Sequence, residues 1–188
     1  MSAPLIDWSF FIYPINIPNI DPFNGRNNSN SEKLNSIILS REEECLSILL
    51  GYTLYKELIT EPLTARMLQL KYGAEYTDEN GILQKWRGLI NGKVSLIAYY
   101  IYYYYQQSDA TRFTGIGTII PTSQIGKSVS PGDSMIYAWN LFSDSVKQMS
   151  IFLRTSKNID LTYKFPDFTD CQSIFVNNIF RKINVFGL

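Results

Sequence analysis

The run Tyr99-Tyr100-Ile101-Tyr102-Tyr103-Tyr104-Tyr105 constrains this chain more than any other feature. With Leu96-Ile97-Ala98 before it, it makes an apolar stretch that predicts a helix over Val94–Gln107. At about 100° per residue, its tyrosines point to all sides of that helix. One face can join the domain's own core, and the others must meet a neighbouring segment, a neighbouring subunit or a ligand. Tyrosine suits each of these, because it offers an apolar ring and a polar tip. Three readings follow: a central helix packed all round within one domain, an inter-subunit surface, or a stacking platform for single-stranded nucleic acid. No lysine or arginine lies between Val94 and Ala110, which weighs against the last. The stretch is also too short to span a bilayer as a helix.

Composition narrows the function classes. The 188 residues suit one domain with extended arms, large enough to bury a core without metals or disulfides. Seventeen basic and seventeen acidic residues cancel, so no strongly basic surface is expected for gripping nucleic acid. Charged residues make up 18%, which favours a life inside an assembly over that of a free, highly soluble monomer. Histidine is absent, which removes Ser-His-Asp triads, Cys–His pairs and histidine metal ligands. Cys45 and Cys171 match no metal or redox spacing and read as free thiols in a reducing compartment, with a single disulfide as the alternative. Met1 to Ile20 is broken by Pro4, Pro14 and Pro18 and has no basic start, so it is not expected to be a signal peptide.

The fold class expected is mainly α: a small four-helix bundle with a short β-hairpin insertion and extended N- and C-terminal arms. Residues 1–39 read as an extended arm and polar loop, 40–156 as the helical domain, and 157–188 as a C-terminal extension. Ser40 and Glu43 form a capping box, and Glu42, Glu43 and Glu44 crowd the positive end of the helix dipole. Leu46, Leu49, Leu50, Leu54 and Leu58 then make an amphipathic stripe. A second helix is expected over Pro62–Tyr72, with Pro62 in its first turn and Gly73 as its stop. Asn80-Gly81 within Glu75–Arg87 signals a hairpin, and Thr111–Pro121 reads as extended or loop. Ser130-Pro131 opens a last helix whose stripe is Ile136, Trp139, Phe142, Val146, Met149 and Leu153.

Little in the chain suits catalysis. The Glu42–Glu44 triplet is explained by capping. Asp160, Asp167 and Asp170 could hold a metal only if folded together, and read more simply as polar loop residues. Gly115-Ile116-Gly117 lacks the third glycine of a dinucleotide-binding turn. No enzyme activity, cofactor or metal is expected.

The order of motifs in the central unit resembles a known family. It runs Leu49-Leu50-Gly51-Tyr52-x-Leu54-Tyr55-Lys56, then Leu68-x-Leu70-x-Tyr72-Gly73-x-x-Tyr76, then Trp86-x-Gly88-Leu89. After these come Leu96-x-Ala98-Tyr99-x-Ile101-Tyr102, Thr114-Gly115-Ile116-Gly117, Ser130-Pro131 and Ala138-Trp139-Asn140. Over about residues 40–155 this is similar to the head–tail connector, or neck adaptor, proteins of tailed bacteriophages, the crAss-like phage type above all. The resemblance implies a structural virion protein made in the host cytoplasm and placed at the neck. Its homo-oligomeric ring, usually twelve-fold, would sit below the portal protein, extend the DNA channel and dock neighbouring neck or tail proteins. DNA would pass without sequence-specific binding, and no membrane, catalysis or cofactor is implied. The alternatives are another structural tail or capsid-associated virion protein, and a nucleic-acid-binding module.

Amphipathic arithmetic selects interface candidates. Trp8, Phe10, Phe11 and Tyr13 are the apolar anchors of the N-terminal arm. Tyr102, Tyr104 and Tyr105 are the tyrosines expected to be least used by the subunit's own core. Phe175, Phe180 and Phe186 would anchor the C-terminal extension. A ring built head to tail needs two different surfaces on each copy, which arms and an all-round aromatic helix could supply.

Overall fold

The computed structural model describes residues 3–21, 29–110, 112–114, 117–119, 131–157, 160 and 162–168. Four helices dominate: α1 (Ser29–Ile59), α2 (Ala65–Tyr72), α3 (Leu96–Ala110) and α4 (Pro131–Thr155). Two antiparallel hairpins join them, β1 (Ala74–Thr77) with β2 (Leu83–Trp86), and β3 (Arg112–Thr114) with β4 (Gly117–Ile119). The mainly helical class and the first hairpin match the expectation.

α1 starts eleven residues before the expected cap, because Leu34 and Ile38 carry the buried stripe of Leu46, Leu49, Leu50, Leu54 and Leu58 back by whole turns. The boundary expected at residues 39 and 40 therefore falls inside a helix. Ser40 is exposed there, and its hydroxyl donates to the Ile37 carbonyl at 3.2 Å instead of capping anything. Gly51 breaks α1 into two limbs, with φ 77° and ψ 157°, a conformation open only to glycine. The bend brings Tyr55 and Ile59 of the second limb to the same depression as Ile38 and Leu39 of the first.

α2 is shorter than expected. Thr64 caps it by accepting from the Met67 N–H at 3.4 Å, and Pro62 lies before the helix, outside its first turn. Gly73 ends it as expected, with φ 97° and its N–H bonded to the Gln69 carbonyl. The hairpin that follows pairs Ala74 with Trp86 and Tyr76 with Gln84. Its loop is longer than a two-residue turn: the Asp78 N–H reaches the Ile82 carbonyl at 3.0 Å, with Gly81 at φ 78° between them.

Gly73 and Gly88 cross at the base of this hairpin. A Cβ on Gly88 would lie 2.5 Å from both Gly73 N and Tyr72 C, and one on Gly73 would lie 2.7 Å from the Trp86 carbonyl oxygen. The crossing drives Trp86 inward, where its indole N–H donates to the Leu70 carbonyl at 2.9 Å and its ring stacks on Phe152 of α4.

α3 is the central helix. It packs on both α1 and α4, and Tyr99, Tyr100, Tyr102, Tyr103 and Tyr105 are all buried. Tyr103 meets Trp139 at 4.6 Å between ring centroids, and Tyr100 meets Phe142 at 5.2 Å. Of the six stripe residues expected on α4, Trp139, Phe142, Val146, Met149 and Leu153 are buried and Ile136 is half-buried. Ser130 lies outside the described residues.

Candidate interaction surfaces

The N-terminal segment is a strap laid on its own subunit. Residues 3–21 hold only one short 3-10 turn, Trp8–Phe10, yet Ile6, Phe10, Phe11, Ile15, Ile17 and Ile20 enter the core. Glu42 fastens the strap's start. Its carboxylate accepts from the Leu5 N–H at 2.7 Å and from the Ile6 N–H at 3.2 Å. Burial pushes the Glu42 carboxyl above the ordinary 4.5, and those two donors and Lys71 pull it part of the way back. Capping was thus the wrong account of Glu42. Its place on the Ile38–Leu46 stripe, a carboxylate on an apolar face, was the signal that it serves a buried partner.

The expected interface residues divide sharply. Phe10 and Phe11 are buried within the subunit, Trp8 is half-buried against the same core, and Tyr13 is 90% exposed. Tyr102 and Tyr105 are buried, and Tyr104 is half-buried beneath Arg41, whose guanidinium lies 4.5 Å from its ring centroid. The expectation that these tyrosines are the least used by the core holds for Tyr104, the one tyrosine of the run that is not buried, and is corrected for Tyr102 and Tyr105, because α1 packs on α3 as well as α4. Tyr13 alone of the described candidates stands clear of the fold. Phe175, Phe180 and Phe186 lie outside the described residues. The described start of the C-terminal extension lies on the bundle, with Phe165 buried against Phe152 at 5.4 Å.

Burial also sets the electrostatics of the aromatic core. Desolvation pushes the Tyr100 hydroxyl far above its ordinary range, with Tyr104 adding to the rise. The ion pairs sit at the edges. Arg66 holds Glu57 and reaches Asp167 at 3.6 Å, which lowers the Glu57 carboxyl. Asp167, weighed earlier as a metal ligand, thus faces a guanidinium; Asp170 lies outside the described residues. No group of three acidic or thiol side chains that could hold a metal occurs among the described residues. Cys45 is a free, fully buried thiol, and Cys171 lies outside the described residues.

The exposed large apolar side chains lie outside the tyrosine run of α3 and are spread over the strap, α1, α2, the hairpin and α4. Ile82 and Leu83, at the end of the hairpin, are 55% and 68% exposed. An open groove runs between the hairpin and α4, lined by Tyr76, Gln84, Arg87, Val94, Gln148 and Ile151. Sequence reasoning missed this surface, because the hairpin's alternation does not say how far it projects past the helix that supports it. A further depression lies at the α1 bend, lined by Pro4, Ile38, Leu39, Tyr55 and Ile59 together with Glu42 and Glu43.

Among known proteins, no family model, no curated protein and no solved structure matches the chain. No helix among the described residues is long and apolar enough to cross a membrane.

Proposed function

We propose that the chain is a structural virion protein, a head–tail connector subunit that forms a ring below the portal, extends the DNA channel and docks the tail. One observation carries the reading. Several described residues of the motifs that carry the resemblance belong to one packed unit: Gly73 and Gly88 cross, Trp86 bonds to Leu70, and Tyr99 and Trp139 sit in the same core. A shared motif order is worth more when its members hold one another in place. Two properties agree with it. The balance of seventeen basic and seventeen acidic residues suits a channel past which DNA slides without being held. Ile82 and Leu83 on the hairpin and Ile12 and Tyr13 on the strap are exposed, where a second protein can reach them.

Electron microscopy of the purified chain, alone and mixed with a portal ring from a tailed phage that carries it, tests the reading. Closed rings in end-on views, or a new layer beneath the portal, are expected. Particles the size of one subunit in both samples would refute it.

A further inference from the structure

We propose that the outer edge of β2 pairs with the outer edge of β1 in a second copy of the chain, so that the hairpins of an assembly join into one continuous antiparallel sheet. This rests on the ring reading and names the surface that would build it.

The register identifies the free groups. Asp78 and Ile82 form a hydrogen-bonded pair, and such pairs alternate along an antiparallel ladder. Tyr76–Gln84 and Ala74–Trp86 are therefore the bonded pairs further in, and the N–H and C=O groups of Leu83 and Lys85 point away from β1. By the same alternation, those of Glu75 and Thr77 point away from β2. Neither edge has a backbone partner among the described residues. A third strand would lie about 4.8 Å beyond either edge. The open groove between the hairpin and α4 has Lys85 in its lining, so there is space beside β2.

Charge selects the occupant. Glu75 lies opposite Lys85 within the hairpin, and both face away from the core beside Thr77 and exposed Leu83. If β2 of one copy pairs with β1 of the next in the same register, each Lys85 meets a second Glu75. Pairing like edges gives no such attraction: Lys85 meets Lys85 or Leu83, and Glu75 meets Glu75 or Thr77. The favoured contact is therefore heterologous. Because β1 then recurs parallel to itself, all copies point the same way, as a closed ring requires. Four-residue strands carrying a lysine are also too short and too charged to recruit strands at random.

Amide hydrogen exchange and assembly mass, read together, test the pairing. Exchange at Glu75, Thr77, Leu83 and Lys85 is expected to be fast in the dilute subunit and slow in the assembly. Lys85→Pro removes one outward N–H and leaves the bonds to β1 intact. It is expected to raise the concentration needed for assembly at least about tenfold, the effect of about one hydrogen bond per interface. Lys85→Glu and Glu75→Lys copies are each expected to assemble poorly and to assemble well when mixed. Mixing restores opposite charges only between copies, since each hairpin keeps its own like pair. Rings that form undisturbed in all these variants would overturn the edge pairing and leave the ring reading standing. Recovery absent on mixing, or the four amides already protected in the dilute subunit, would overturn the pairing as well. A chain that never assembles would remove both readings.

Discussion

Replacing Gly88 with alanine tests the least forgiving contact in the fold. Two costs add at that position. The backbone sits at φ 90°, where an L residue is disfavoured by about 1–2 kcal/mol. The new methyl would also lie 2.5 Å from Gly73 N and Tyr72 C and 2.8 Å from the Lys71 carbonyl oxygen. All three are backbone atoms, so no side chain can swing aside; the end of α2 must move away from β2. That movement breaks the Trp86 indole bond to Leu70 and disturbs the stacking on Phe152. The total should reach about 4 kcal/mol or more, the range reached only by a few severe mechanisms. Gly81→Ala is the control, because Gly81 has φ 78° but nothing within 4 Å of an added Cβ. It should cost about 1–2 kcal/mol, the conformational part alone. Urea unfolding followed by tryptophan fluorescence reads both. With a slope of about 2 kcal/mol per molar, the Gly88→Ala midpoint should fall by about 2 M or more and the Gly81→Ala midpoint by about 0.5–1 M. Equal shifts for the two variants would refute the crossing as a steric lock.

Three further outcomes are expected. Glu42→Ala leaves the Leu5 and Ile6 N–H groups without their buried acceptor, so limited proteolysis should cut within residues 3–21 while the α3 amides stay protected. Stability should depend on pH in two windows on either side of 4.5. Glu42 binds its proton more tightly folded than unfolded, so its contribution improves as pH falls from neutral towards 4.5, and Glu42→Gln should flatten that rise. Glu57 is the reverse: its Arg66 pair stabilises fully above 4.5 and is lost as pH falls through its lowered folded value, which calorimetry in a pH series would follow. Trp139→Ala opens a void beside Tyr100, Tyr103 and Phe142 and should cost about 3–5 kcal/mol in chemical denaturation, a loss that surface placement of α3 would not produce.

The helices were legible where the apolar period was clean, as on α4 and in Leu46–Leu58. The start of α1 was hidden by low helix propensity in the Asn- and Ser-rich stretch, and burial of Leu34 and Ile38 overrides that propensity. The bend at Gly51 was hidden because the leucine stripe continues through it in sequence. In α3 the period itself carried no information: with tyrosine at nearly every position, pattern alone cannot say which side a neighbour will cover. The strap misled for a related reason. Its prolines and aromatics mark a segment that needs a surface, and the nearest one is its own subunit. Glu42, which ties the strap down, was read through its charged neighbours and not through the apolar face it shares. The free edges of β1 and β2 became visible only with the register.

Light scattering behind a sizing column, over a wide range of concentration, tests the central claim most directly. The account predicts a discrete assembly whose mass is a fixed multiple of 21.6 kDa. A mass of 21.6 kDa at every concentration, with no binding to an added portal ring, would contradict it.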